Sequence, residues 1–271
     1  MFDDILCKTW TVLLAAMTVA APAGCSTLAL APSAGLPGRF SAQRHHLLLR
    51  SDFPLPQHHR MLDELIMLRG DMVGRLGIPS SDEPIHLYLF ESGDRFERFM
   101  RARHPDFPDR RAFFVESDSR LVVYAQWGDR MAEDLRHETA HAYLHAVVPN
   151  LPLWLDEGLA EFFEVPRRLQ GLHRQHIAWL NERMRRQGWQ PNLKRLERVA
   201  NHRDLQQDEY AEAWLWVHFL LESSPDTAEI LRGYLNEVRA TAVPPPLSVV
   251  LERQVPDAAD AAAEHLRKLA P

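Results

Sequence analysis

The chain has 271 residues, 46% of them hydrophobic, which is enough for one large buried core or two small ones. With 31 Lys and Arg against 37 Asp and Glu, its formal charge of -6 offers no basic surface to track a phosphate backbone, which excludes nucleic-acid binding. Cys7 and Cys25 both lie near the start, so the body of the chain lacks an internal disulfide and thiolate ligands, and any metal must sit on His and carboxylates.

In chain order, Trp10 to Ala23 is apolar and uncharged, long enough for the core of a secretory signal and shorter than the roughly 20 residues of a membrane-spanning helix. Ala23-Gly24-Cys25-Ser26 resembles a bacterial lipoprotein processing site, in which Cys25 would become the lipidated first residue. Pro22 stands where such sites usually have a branched aliphatic, so a cleaved secreted form and an uncleaved anchor reaching Ala31 remain open. An export segment is predicted over 1–25 and a Pro- and Gly-bearing linker over 26–39, followed by one domain over 40–270 in the cell envelope or outside the cell.

His46 to Arg50, Ile85 to Phe90, Ala112 to Val115 and Leu121 to Ala125 are short β-rich runs and are predicted strands. Between the first two, Met61, Leu62, Leu65, Leu68, Met72 and Leu76 recur at helical spacing, predicting a helix from His58 to Leu76. After Arg130 the pattern is helical, broken at Pro149 and Pro152, around Gly188 to Pro191, near Pro225 and at Pro244 to Pro246. A sheet-bearing first half and a helical second half predict an α+β fold. Leu121 to Gln126 is either an edge strand, able to pair with an extended peptide, or an interior strand. The pairs His45-His46 and His58-His59 lack ligand spacing and are expected at the surface, and His145 is expected to pack.

The strongest chemical signal is His137-Glu138-Thr139-Ala140-His141 within the helical run from Met131 to Val147. Four positions apart on a helix, both imidazoles reach one point and form half of a tetrahedral zinc site, while Glu138 on the adjoining face can reach metal-bound water. Trp154-Leu155-Asp156-Glu157-Gly158-Leu159-Ala160-Glu161 follows a short proline-containing connection. Helices joined this way pack as antiparallel neighbours, so Glu157 can supply a third ligand, with Asp156 a plausible N-cap and Gly158 leaving room for close helix approach. Glu161, one turn after Glu157, is either a carboxylate that accepts the distal N–H of a ligating His or a solvated charge. Asp134 is expected only to favour the start of its helix.

HETAH followed by WLDEGLAEFFE resembles the gluzincin, or peptidase-MA-like, zinc metallopeptidases. The closer similarity is to a family of uncharacterised exported bacterial peptidase-MA-like proteins, from about His45 to Leu221, with Arg110 to Phe114 and Tyr210 to Leu220 also matching. The resemblance implies a zincin (thermolysin-like) fold, one Zn2+ held by His137, His141 and Glu157, Glu138 as general base, and peptide or protein as substrate. It also implies a Tyr or His from the helical half that holds the oxyanion. Tyr210 is the first candidate and His218 the second, sharing a face of the helix predicted from Asp208 to Glu222; the alternative is that Tyr210 and Trp214 are core aromatics. The amine-binding segment of the aminopeptidases has no counterpart between Arg95 and Arg136, which disfavours that specificity. A zinc-bearing envelope scaffold without turnover, or a zinc hydrolase of a non-peptide amide, fits the same ligand pattern.

Overall fold

Two strands open the body of the protein, β1 (Phe40–Arg44) and β2 (Leu47–Ser51), joined antiparallel through a turn in which His45 adopts a positive φ of 52°. The computed structural model describes residues 35–270 apart from Gln57, His58, Asp118 and Ala242. The export segment expected over 1–25, with both cysteines, and most of the linker expected over 26–39 lie outside the described residues. A helix, α1 (Arg60–Leu76), then crosses to β3 (Ile85–Phe90), which pairs parallel with β2. Next come α2 (Gly93–Arg103), β4 (Ala112–Ser117) and β5 (Arg120–Gln126). The sheet order is β1-β2-β3-β5-β4, with β5 parallel to β3 and antiparallel to β4.

The alternation of side chains along a strand sends Ile85, Leu87 and Leu89 to one face, into the main core with Leu62, Leu65 and Leu135. Tyr88 and Phe90 go to the other, into a smaller cluster with Phe96, Phe99 and Met100 of α2. Covered on both faces, β3 is apolar along its length except at the half-buried His86.

The remainder is helical: α3 (Met131–His145), α4 (Leu153–Glu164), α5 (Arg174–Gln187), the short α6 (Leu193–Leu196), α7 (Gln207–Glu222), α8 (Pro225–Ala240), α9 (Leu247–Gln254) and α10 (Ala258–Leu269). All five strands lie in the first half, interleaved with α1 and α2, and the second half is helical, so the chain is a mixed α/β fold with an N-terminal sheet. Apolar almost all round, α7 is the buried central helix. It meets α4 at Gly158, where a Cβ would stand 2.6 Å from the Ala213 carbonyl oxygen, so only glycine allows this approach. Among the described residues no helix is long and apolar enough to cross a membrane.

Several expectations need correction. β1 and α2 arise where no element was expected; α2 shows the signal in hindsight, with Ser92 accepting from the Arg95 amide before Phe96, Phe99 and Met100. Of the two readings of Leu121 to Gln126 the interior one holds: the chain turns back after β4 to insert β5 beside β3, which leaves β4 and β1 as the edges. His46 is not at the surface but 7% exposed, because Arg69 donates to its Nδ1 at 2.8 Å. Its Nε2 then donates to the Tyr143 hydroxyl at 2.9 Å, which donates to the Leu65 carbonyl at 3.0 Å. This buried relay ties the β1–β2 turn, α1 and α3 together.

Candidate metal centre

α3 lies between the sheet and α4, and most of its face from Leu135 to Leu144 is buried, so His137 and His141 enter the interior one turn apart. The Pro152 turn starts α4 alongside, and its fifth residue, Glu157, points back at the pair. His137 Nε2 and His141 Nε2 face each other at 3.2 Å, and Glu157 Oε2 stands 3.6 Å from the first and 3.7 Å from the second.

The outer nitrogens explain why this arrangement suits a cation. His137 Nδ1 donates to Glu164 Oε2 at 2.8 Å, and His141 Nδ1 donates to Asp156 Oδ1 at 2.9 Å. With those protons committed, both neutral rings present Nε2 lone pairs to one another, which is repulsive unless a positive charge lies between them. Glu157 Oε2 is buried and has no hydrogen-bond partner, the kind of orphaned acceptor that a metal ligand leaves when the metal is not counted. Ligands of a tetrahedral zinc at 2.0–2.1 Å lie roughly 3.3 Å apart, close to the spacing of the two rings. Two imidazoles and a carboxylate therefore fit a divalent transition ion such as zinc.

Electrostatics agree with the geometry. Burial alone would lower His137, but Glu157, Glu164 and Glu138 outweigh it and hold it well above the ordinary histidine range. Burial is likewise outweighed at His141, where Asp156 and Glu157 raise the value to about 10. Burial would raise the carboxylates, but their histidine partners bring Asp156 and Glu164 down to about 2 and Glu157 well below its usual value. This centre is an anionic pocket that calls for positive charge.

Around it lies an open cleft of about 800 Å3, lined by Glu138, His141, Glu157, Arg110, Phe114 and His202 among others. Glu138 Oε2 accepts the Phe114 amide at 2.6 Å, so the free edge of β4 faces the general-base candidate. Tyr210, at the start of α7, accepts a hydrogen bond from Arg110, and the charges of Glu157 and His137 reach its phenol.

Some placements depart from expectation. Glu161 accepts from His176 Nε2 at 2.7 Å instead of orienting a histidine of the pair; Glu164, a further three residues along the helix, fills that place because α4 meets α3 near its end. Asp156 is inside α4 rather than its N-cap and accepts from His141 and, at 3.0 Å, from His145 Nε2, so His145 does more than pack. Asp134 takes a two-pronged bond from Arg111 at 2.6 and 2.9 Å. His218 lies away from the centre, paired with His265 at 2.8 Å and packed on Phe162 and Trp214. Sequence reading missed His202, whose Nδ1 lies 3.1 Å from Glu157 Oε1; it sits in a short turn with no motif to mark it.

A family model described as a protein of unknown function (DUF1570) matches residues 132–244, a span that takes in Glu138, His141, Glu157 and Tyr210. No curated protein sequence matches the chain. Among solved structures, the crystal structure of an M1 zinc metallopeptidase from Deinococcus radiodurans is similar at a TM-score of 0.46 and 17% identity, covering 82% of this chain and 47% of that one. The chain thus spans about half the length of that metallopeptidase.

Proposed function

We propose that this chain is a gluzincin-type zinc hydrolase with a zincin-like fold that cleaves peptide bonds outside the cytoplasm. One observation carries the reading: two imidazole nitrogens 3.2 Å apart and an orphaned buried carboxylate oxygen meet at the wall of an open cleft, beside a further carboxylate that is free of the set. His137, His141 and Glu157 would hold one zinc ion, which would supply Lewis acidity to a substrate carbonyl and to water.

The chain's own groups supply the rest. Glu138 takes the water proton and returns it to the leaving amine. Its Oε2 is tied to the Phe114 amide, which fixes the carboxylate and leaves Oε1 for the proton. Asp156 and Glu164 hold the two ring planes and keep each Nδ1 protonated. Tyr210 donates its phenolic hydrogen to the oxygen on which negative charge develops. The outer edge of β4 gives an extended peptide a row of main-chain partners across the cleft.

The test combines metal analysis with a peptide-library digest. One zinc per chain is expected in the parent and much less in Glu157→Gln. Glu138→Gln should keep zinc and cut nothing. A protein that binds zinc in a closed four-ligand set and cuts no peptide would instead be a scaffold, and the proposal would fail.

A further inference from the structure

We propose that Arg110 is a positioning residue for Tyr210, turning its phenol into a hydrogen donor aimed at the substrate; this rests on the hydrolase reading above. Arg110 stands in the connection between α2 and β4, and Tyr210 lies 100 residues further along the chain on α7. The guanidinium donates to the phenol oxygen, and its Cζ lies 5.6 Å from the centre of the ring. A guanidinium has no acceptor, so the direction of this bond is fixed: the phenol oxygen accepts, and its own hydrogen is left for another partner. Among the described residues the phenol makes no other hydrogen bond, so its hydrogen is left for a partner from outside the chain, the place a substrate oxygen would take.

The neighbouring arginine shows why Arg110 can act this way. Arg111 is committed to Asp134 through two hydrogen bonds, which pins the segment to α3 one turn before Glu138. Arg110, anchored by that clamp, has no carboxylate within 4.0 Å among the described residues and makes its single side-chain hydrogen bond to Tyr210. A charge-assisted bond to the oxygen strengthens the phenol as a donor in turn. Burial and the Glu157 charge keep the phenol above its ordinary value while Arg110 pulls it down, so it stays protonated at neutral pH, as a donor must. Arg110 has a rival role, gripping a carboxylate of the substrate directly, and the two differ in what Tyr210 does to the effect.

The experiment uses the full chain as Arg110→Met, Arg110→Lys, Tyr210→Phe and the Arg110→Met/Tyr210→Phe double variant. On a peptide that the parent cleaves, Arg110→Met should lower kcat about tenfold with KM within about twofold, and Arg110→Lys should recover part of the loss. In the Tyr210→Phe background the same Met substitution should cost nothing further. An equal loss in both backgrounds, or a rise in KM alone, overturns the proposal in favour of direct substrate binding. A second readout needs no turnover: the ultraviolet titration of the phenol, isolated by difference from Tyr210→Phe, should move to higher pH in Arg110→Met and back in Arg110→Lys. A titration identical in all three sinks the proposal. A parent that cleaves nothing but shows the shift counts against the hydrolase reading and for the Arg110–Tyr210 pairing.

Discussion

His141 gives its Nδ1 hydrogen to Asp156 across 2.9 Å, and that single bond decides which nitrogen the ring turns toward Glu157. With an amide in place of the carboxylate the acceptor is weaker and can present a donor instead, so the ring is free to rotate or change tautomer. Asp156→Asn and Glu164→Gln should each weaken zinc binding about 10- to 100-fold, read by competition with a chelator. Glu161→Gln, whose carboxylate serves His176, should stay within a few-fold of the parent, and an equal loss there would show that the wrong carboxylates have been assigned.

Protons and metal compete for the same centre. His141, held at about 10, carries a proton at neutral pH in the metal-free protein, and zinc must displace it. Zinc affinity should therefore rise with pH, with about one to two protons released per ion near pH 7, measurable by calorimetry in buffers of different ionisation enthalpy. A raised histidine stabilises the fold fully below its unfolded value near 6.5, and the contribution is lost as pH climbs through about 10. Asp156 has the opposite sign: its contribution is present above about 3.8 and lost as pH falls through about 2. Chelator-treated protein should melt at progressively lower temperature from pH 7 to pH 10, and zinc should remove that slope. A flat alkaline profile without zinc would contradict it.

Acid sensitivity should have a separate origin in His46. Burial first, and Arg69 second, push its value down to about 4 from 6.5, so the folded protein keeps it neutral where the unfolded chain takes up a proton. Its stabilising contribution is complete above pH 6.5 and falls away as pH drops toward 4. His46→Gln should be less stable at pH 7 yet lose less on going to pH 4.5, as read from urea midpoints.

Gly158→Ala should destabilise the protein by about 1–3 kcal/mol, because the added methyl meets the Ala213 carbonyl and Val217 of α7 with no room to turn aside. Chemical denaturation measures this directly. A neutral result would mean that α4 and α7 stand further apart than 2.6 Å from that Cβ to the Ala213 oxygen implies.

How far the sequence speaks depends on whether a feature is local. His137, Glu138 and His141 are legible because helical periodicity alone sets their relation, and Glu157 because a short connection leaves its helix few places to go. Asp156 and Glu164 were visible as residues but not as partners, since their hydrogen bonds depend on how α4 is rotated against α3. His202 and Arg110 reach the site from turns whose path is set by tertiary packing. In the fold, β5 was readable as a strand while its interior position was not, because strand order follows from chain reversal rather than from composition.

The bond between the Phe114 amide and Glu138 has a bearing on idle chemistry. A guest strand pairing with β4 asks for the same N–H that restrains the carboxylate, so arrival of the guest and release of the base become a single exchange. Until that exchange, one oxygen of the carboxylate is held at the sheet edge and the other is left for a proton.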